Sequence, residues 1–160
     1  MNLHLFYCVG IIRFMLSYLN ESSVSFASAH IAKLENILQT QSQKEVELVV
    51  VGNETIQEYN KEYRNIDKTT DVLSFPMETE EGDFAHLPLG SIVISSDYVT
   101  QGAQEFGHSP EDELSLLFIH GLLHLLGMDH EIDKGEMRAK EADLIAQFSL
   151  PKSLIVRNDG

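Results

Sequence analysis

Apolar positions along this chain change period several times, and each change marks an element. Met15–Leu19 predicts a short strand, ended by the Asn-Glu-Ser-Ser cluster that follows. From Phe26 to Leu38 the recurrence of Ile31, Leu34 and Ile37 or Leu38 predicts an amphipathic helix. "EVELVVVG" predicts a strand that is buried on both faces beyond Leu48 and stopped by Gly52. Asn53 is a suitable N-cap for the next helix, with Ile56, Tyr59 and Tyr63 as its apolar stripe. A polar turn, "NIDKTTD", leads into the strand "VLSF", which Pro76 closes. The acidic stretch Glu78, Glu80, Glu81 and Asp83 around Gly82 reads as a solvated connection. Leu89–Ser95 predicts another buried strand, and helices follow over Ser96–Phe106, Pro110–Leu126 and about Lys134–Phe148. Strands early and helices late predict an α+β fold rather than alternating βαβ units: a small mixed β-sheet packed against several helices.

The first nineteen residues are apolar, but Arg13 interrupts them. They lack the basic start and small-residue cleavage site of a secretory signal, and the unbroken run is shorter than a membrane span requires. Two readings stay open: a buried or packed terminal segment, or an extension over residues 1–14 preceding a start at Met15. Residues 15–160 then form a single domain, a size that suits one core. Composition is ordinary for a folded protein, with 43% hydrophobic and 22% charged residues. A formal net charge of −14 argues against non-specific binding to nucleic acid or anionic membranes. Cys8 is the sole cysteine, which excludes a disulfide framework and a cysteine zinc site and suits a cytoplasmic protein.

The chemistry concentrates in "HGLLHLLGMDH", His120 to His130. Ser109 and Pro110 suit a helix start, and Glu111, Asp112 and Glu113 favour its positive end. The run after them is apolar almost all round, which predicts a buried central helix. His120 and His124, four residues apart, lie on one face of it. Gly127 suits a left-handed residue after the helix, reversing the chain so that His130 returns beside the other two. A single histidine on a buried helix is usually a hydrogen-bonded core residue; three with a glycine turn favour a metal. Three imidazoles without a thiol suit one zinc ion and leave a fourth position for water. Metzincin zinc proteases share the H-x-x-x-H-x-x-G-x-x-H helix-turn but carry a glutamate where this chain has Gly121. Peptide hydrolysis by their route is therefore not expected. The glycine, which costs about 1 kcal/mol in a helix interior, is read as making room for a substrate backbone.

Together with "NKEYRNIDKTTDVLSFP" and "LGSIVIS", the histidine motif resembles the YbeY family of bacterial metal-dependent endoribonucleases linked to ribosomal RNA maturation. The resemblance runs from about Val46 to Phe148. It implies that His120, His124 and His130 are the zinc ligands and that Arg64, facing the metal across a cleft, is the catalytic residue. Asn60, Asp67, Thr70 and Asp71 also fall on the motif, with Thr70 and Asp71 read as turn and strand-start residues. His108 is read as capping or packing. Three features depart from the family: Ser91 replaces a frequent aspartate, Met128 replaces a commoner aromatic, and the amino-terminal end is longer.

The implied reaction is cleavage of single-stranded RNA, with partners in the small ribosomal subunit or its assembly proteins and none in a membrane. Zinc would generate hydroxide near neutral pH or polarise a phosphoryl oxygen, and Arg64 would bind the phosphate. Lys61 and Lys68 either add a positive rim or are simply solvated. Two alternatives stay open: a zinc hydrolase of a non-RNA substrate, and a non-catalytic assembly factor stabilised by zinc.

Overall fold

The computed structural model describes residues 15–77 and 87–151. The segment 1–14, with Cys8, and the acidic connection 78–86 lie outside these residues. Strand β1 (Leu16–Asn20) begins one residue later than expected. It ends where the Asn20 side chain accepts hydrogen bonds from the backbone N–H and hydroxyl of Ser22, a local turn that competes with further pairing. Helix α1 (Ser28–Gln41) buries Leu34, Ile37 and Leu38 and leads to β2 (Val46–Val51). Because β1 and β2 are parallel, α1 is the crossover that parallel strands require. The first half of the chain therefore does contain a βαβ unit, which the early clustering of strand-like segments did not predict.

Helix α2 (Asn53–Arg64) follows at once, then β3 (Val72–Pro76) and β4 (Gly90–Ser95). The sheet order is β1-β2-β4-β3, with β4 parallel to β2 and β3 antiparallel at the edge. Proline at the end of an edge strand removes no ladder bond that a neighbour needs. Asn53 does not cap α2: Gly52 holds the N-cap position. The Asn53 side chain instead accepts a bond from the Ser95 hydroxyl at 2.7 Å, tying α2 to the end of β4.

After β4 the chain is helical: α3 (Ser96–Phe106), α4 (Pro110–Leu125) and α5 (Glu136–Gln147). Side chains alternate across the sheet, so each face has its own core. Leu48, Val50, Ile92 and Ile94 pack with α1, α4 and α5 on one face, while Val49, Val51, Leu73 and Val93 meet Ile56 of α2 on the other. Helix α4 is buried on nearly every side from Leu114 to Leu123, as its apolar run predicts. The result is the expected mixed sheet with helices packed against it and the histidine helix at the centre.

Candidate metal centre

Helix α4 begins as its sequence predicts. The Ser109 side chain accepts the Asp112 N–H at 3.0 Å, and Pro110 occupies the first turn, where no N–H is needed. At the other end, the N–H of Gly127 bonds to the carbonyl of His124 and that of Met128 to the carbonyl of Leu123. This is a Schellman pair, with Gly127 at φ +88° supplying the left-handed residue. Met128 packs against the main core, so the turn is anchored as well as reversed. Two short acidic side chains order the following loop: Asp129 accepts the Glu131 N–H, and Asp133 accepts those of Gly135 and Met137. Those two amides hold the Asp133 carboxyl below its ordinary pKa. His130 sits between these turns and is delivered back to α4.

The three imidazoles converge. Nε2 of His120 and Nε2 of His124 are 3.2 Å apart, and one ligand atom from each of the three histidines lies within 4.8 Å of the others. Nitrogens bound to a tetrahedral zinc at about 2.0–2.1 Å stand roughly 3.3–3.4 Å from each other, so a small side-chain adjustment closes the set around one ion. Nδ1 of His130 is buried without a hydrogen-bond partner among the described residues, an unmet valence that a cation would satisfy. Burial, reinforced by the neighbouring His120 and His130, lowers the pKa of His124 and keeps it in the neutral form that binds metal. The donor set therefore fits a metal ion of the imidazole-binding kind.

Behind the cluster stands a residue that the motif did not reveal. Glu141, on α5, is fully buried, and its Oε2 lies 3.3 Å from Nδ1 of His120. A signal for it was present: Met137, Glu141 and Leu144 share the buried stripe of α5, and a carboxylate in an apolar stripe calls for a partner.

In front is a cleft of about 360 Å³ lined by His120, His124, Arg64, Asp71, Val72, Leu73, Ser74 and Pro76. Its walls are α4, the edge strand β3 and the C-terminal end of α2. Arg64 is the last residue of α2, and Asn65 at φ +58° terminates the helix. Nη1 of Arg64 donates to Oδ1 of the buried Asn60 at 3.4 Å, while Asn60 donates to the carbonyl of Lys68 at 2.9 Å. Asn60 thus holds both the Arg64 side chain and the loop beyond it. Asp71 also borders the cleft, where Oδ1 accepts the Val72 N–H at 2.7 Å and, more weakly, the Thr70 hydroxyl.

Other candidates lie elsewhere. Lys61 is an exposed neighbour of Asp67, with Nζ 3.7 Å from Oδ2, and does not line the cleft. Asp67 further accepts a bond from Gln57. His108 packs its ring on Phe106 and faces the buried Glu113 at 3.3 Å. Ser91 is on the opposite face of the sheet from Ile92 and bonds to Glu47, so the loss of a carboxylate there does not alter the histidine cluster.

Gly121 requires a correction. A Cβ at this position would meet Cγ2 of Ile92 at 2.9 Å, Cγ2 of Val72 at 3.1 Å and Oγ of Ser74 at 3.2 Å. The space that the glycine leaves is filled by the sheet rather than kept for a substrate. Its absent side chain lets α4 approach β3 and β4, and the Ser74 hydroxyl seals the contact by donating to the Gly121 carbonyl at 2.8 Å.

The sequence model described as "Endoribonuclease YbeY" matches residues 17–149. A protein of that name from Aliarcobacter butzleri is 65% identical over 125 residues, covering 78% of this chain and 88% of the relative. One from Nautilia profundicola is 52% identical over 145 residues, covering 91% and 99%. The solution structure of a Thermotoga maritima protein superposes with a TM-score of 0.58 at 30% identity, covering 84% of this chain and 89% of that one. A match over most of the length, at identities above one half and with the same fold, means that this chain belongs to the YbeY endoribonuclease family.

Proposed function

We propose that this protein is a zinc-dependent endoribonuclease of ribosomal RNA maturation that cuts single-stranded RNA. The observation that carries the reading is the cleft itself, where two of the three converging imidazoles, His120 and His124, border one cavity with an arginine in a chain of this family. Donors that are all nitrogen favour zinc, and three protein ligands leave one coordination position for chemistry rather than a closed structural site. Bound there by His120, His124 and His130, zinc supplies Lewis acidity and lowers the pKa of water to about 7. That makes the missing glutamate at position 121 compatible with hydrolysis.

Arg64 carries the charge work of the protein. Its guanidinium always bears charge and presents paired donors that match a phosphodiester, both in the ground state and as negative charge develops on it. Asn60 anchors one donor, which limits the side chain's freedom and leaves the others facing the cleft. β3 and α4 form the walls of this cleft. A ribosomal substrate accords with a cytoplasmic location, and no helix among the described residues is long and apolar enough to cross a membrane.

The test is to measure zinc and cleavage of precursor ribosomal RNA together, in wild type, His124→Ala and Arg64→Ala. Zinc near one equivalent in wild type and Arg64→Ala, with cleavage lowered about 10²-fold or more in Arg64→Ala, is expected for loss of a transition-state donor. His124→Ala should lose both. Full zinc with no cleavage by wild type would replace this reading with the assembly-factor one, and cleavage of a peptide but not RNA would replace the substrate.

A further inference from the structure

An imidazole offers only one nitrogen to a metal, and the other then carries a proton that needs an acceptor. In His120, Nε2 points to Nε2 of His124, so Nδ1 is directed away from the cluster and toward Oε2 of Glu141 at 3.3 Å. An ionised carboxylate only accepts, so this contact selects the tautomer with hydrogen on Nδ1 and a free lone pair on Nε2. We propose that Glu141 is a positioning residue for the metal centre: it fixes the ring and tautomer of His120 and strengthens that ligand for a zinc ion.

A purely structural role explains the residue poorly. Glu141 lies between Met137 and Leu144 on the buried stripe of α5, where an aliphatic side chain would pack without desolvating a charge. Its second oxygen, Oε1, is buried with no hydrogen-bond partner among the described residues. A carboxylate left half satisfied in an apolar layer is a poor tie between helices, whereas one imidazole away from a divalent cation its charge is compensated. His108 and Glu113 provide an internal comparison, since they form a buried pair at the same 3.3 Å but without a histidine cluster.

The inference rests only on the metal-binding part of the function proposed above, not on RNA as substrate. It is tested by competing zinc away from wild type, Glu141→Gln, Glu141→Leu and Glu113→Gln with a chelator. Nitrogen NMR of the histidine rings in the zinc-loaded protein accompanies the titration. Loss of an outer carboxylate partner typically weakens metal binding ~10- to 100-fold. The expected order of affinity is wild type, then Glu141→Gln, then Glu141→Leu, with Glu113→Gln unchanged, and His120 protonated on Nδ1 in wild type. Unchanged affinity in a folded Glu141→Leu, or coordination of zinc through Nδ1 of His120, would overturn the proposal. Should Glu141→Leu fail to fold, Glu141→Gln and the wild-type ring spectrum still decide it. A wild type that takes up no zinc would overturn both this inference and the metal reading, whereas zinc uptake without RNA cleavage leaves this one standing.

Discussion

Replacing Gly121 by alanine opposes two effects at one position. Alanine gains about 1 kcal/mol of helix propensity over glycine. Its Cβ, however, would press on Ile92, Val72 and Ser74, and overpacking of a close helix–sheet contact typically costs about 1–3 kcal/mol. The methyls of Ile92 and Val72 belong to a filled core, so the packing loss should win. Gly121→Ala is expected to lower unfolding free energy by roughly 1 kcal/mol in urea titrations and to widen the gap between α4 and β3. A gain in stability would mean that the sheet yields at no cost and that the glycine serves something else. Arg64 differs in kind, because its guanidinium borders solvent in the cleft and its replacement should be nearly neutral for stability while removing activity.

Between helices, His30 joins α1 to α4, its Nε2 lying 3.1 Å from the Ser115 hydroxyl. Burial is the main cause of its lowered pKa; Lys33 lowers it further, and Glu111 and Asp112 oppose the shift without cancelling it. A histidine harder to protonate folded than unfolded contributes stability that is present above its ordinary value of 6.5. That contribution is lost as pH falls from 6.5 through the folded pKa, because the unfolded chain binds the proton first. His124 is shifted in the same direction and adds to the trend in zinc-free protein. Urea unfolding across this window should therefore show stability falling with acid, less steeply in His30→Gln. Equal slopes in the two proteins would remove His30 from the account. The helices themselves follow local chemistry closely: Ser109 and Pro110 start α4 and Gly127 ends it. Helix α5 begins two residues later than expected because Asp133 reaches past Lys134 to the amides of Gly135 and Met137.

At the scale of the molecule, charge and proposed substrate pull in opposite directions. With a net charge of −14, little affinity for RNA can come from neutralising phosphates over a broad surface. The cleft offers one arginine for that purpose. Isolated single-stranded RNA should therefore bind with a dissociation constant of about 10⁻⁶ M or weaker at physiological salt, with a shallow salt dependence. Precursor RNA within a ribosomal particle should be cut far more efficiently, the particle supplying the remaining contacts. Nanomolar binding to naked RNA, measured by fluorescence anisotropy over a salt series, would sink this account of where affinity comes from.

Legibility follows the range over which each feature is decided. The histidine spacing, the glycine turn and the cap of α4 were readable because they involve neighbours within a few residues, for which helix geometry dictates who meets whom. That β2 is buried on both faces could be anticipated from its continuous apolar run, although the βαβ crossover could not, since pairing partners lie far apart in the chain. Three contacts are made by the tertiary structure, and only the last was anticipated, through the family resemblance and not from spacing. Glu141 reaches His120 across twenty-one residues, Ser74 reaches Gly121 across forty-seven, and Arg64 borders the histidines because α2 ends at the edge strand. The sequence by itself determined which residues can bind a metal and how α4 presents two of them. What surrounds that site, the sheet pressed on Gly121, the carboxylate behind His120 and the arginine before it, was decided only by packing, because contacts between distant segments depend on how whole elements stack.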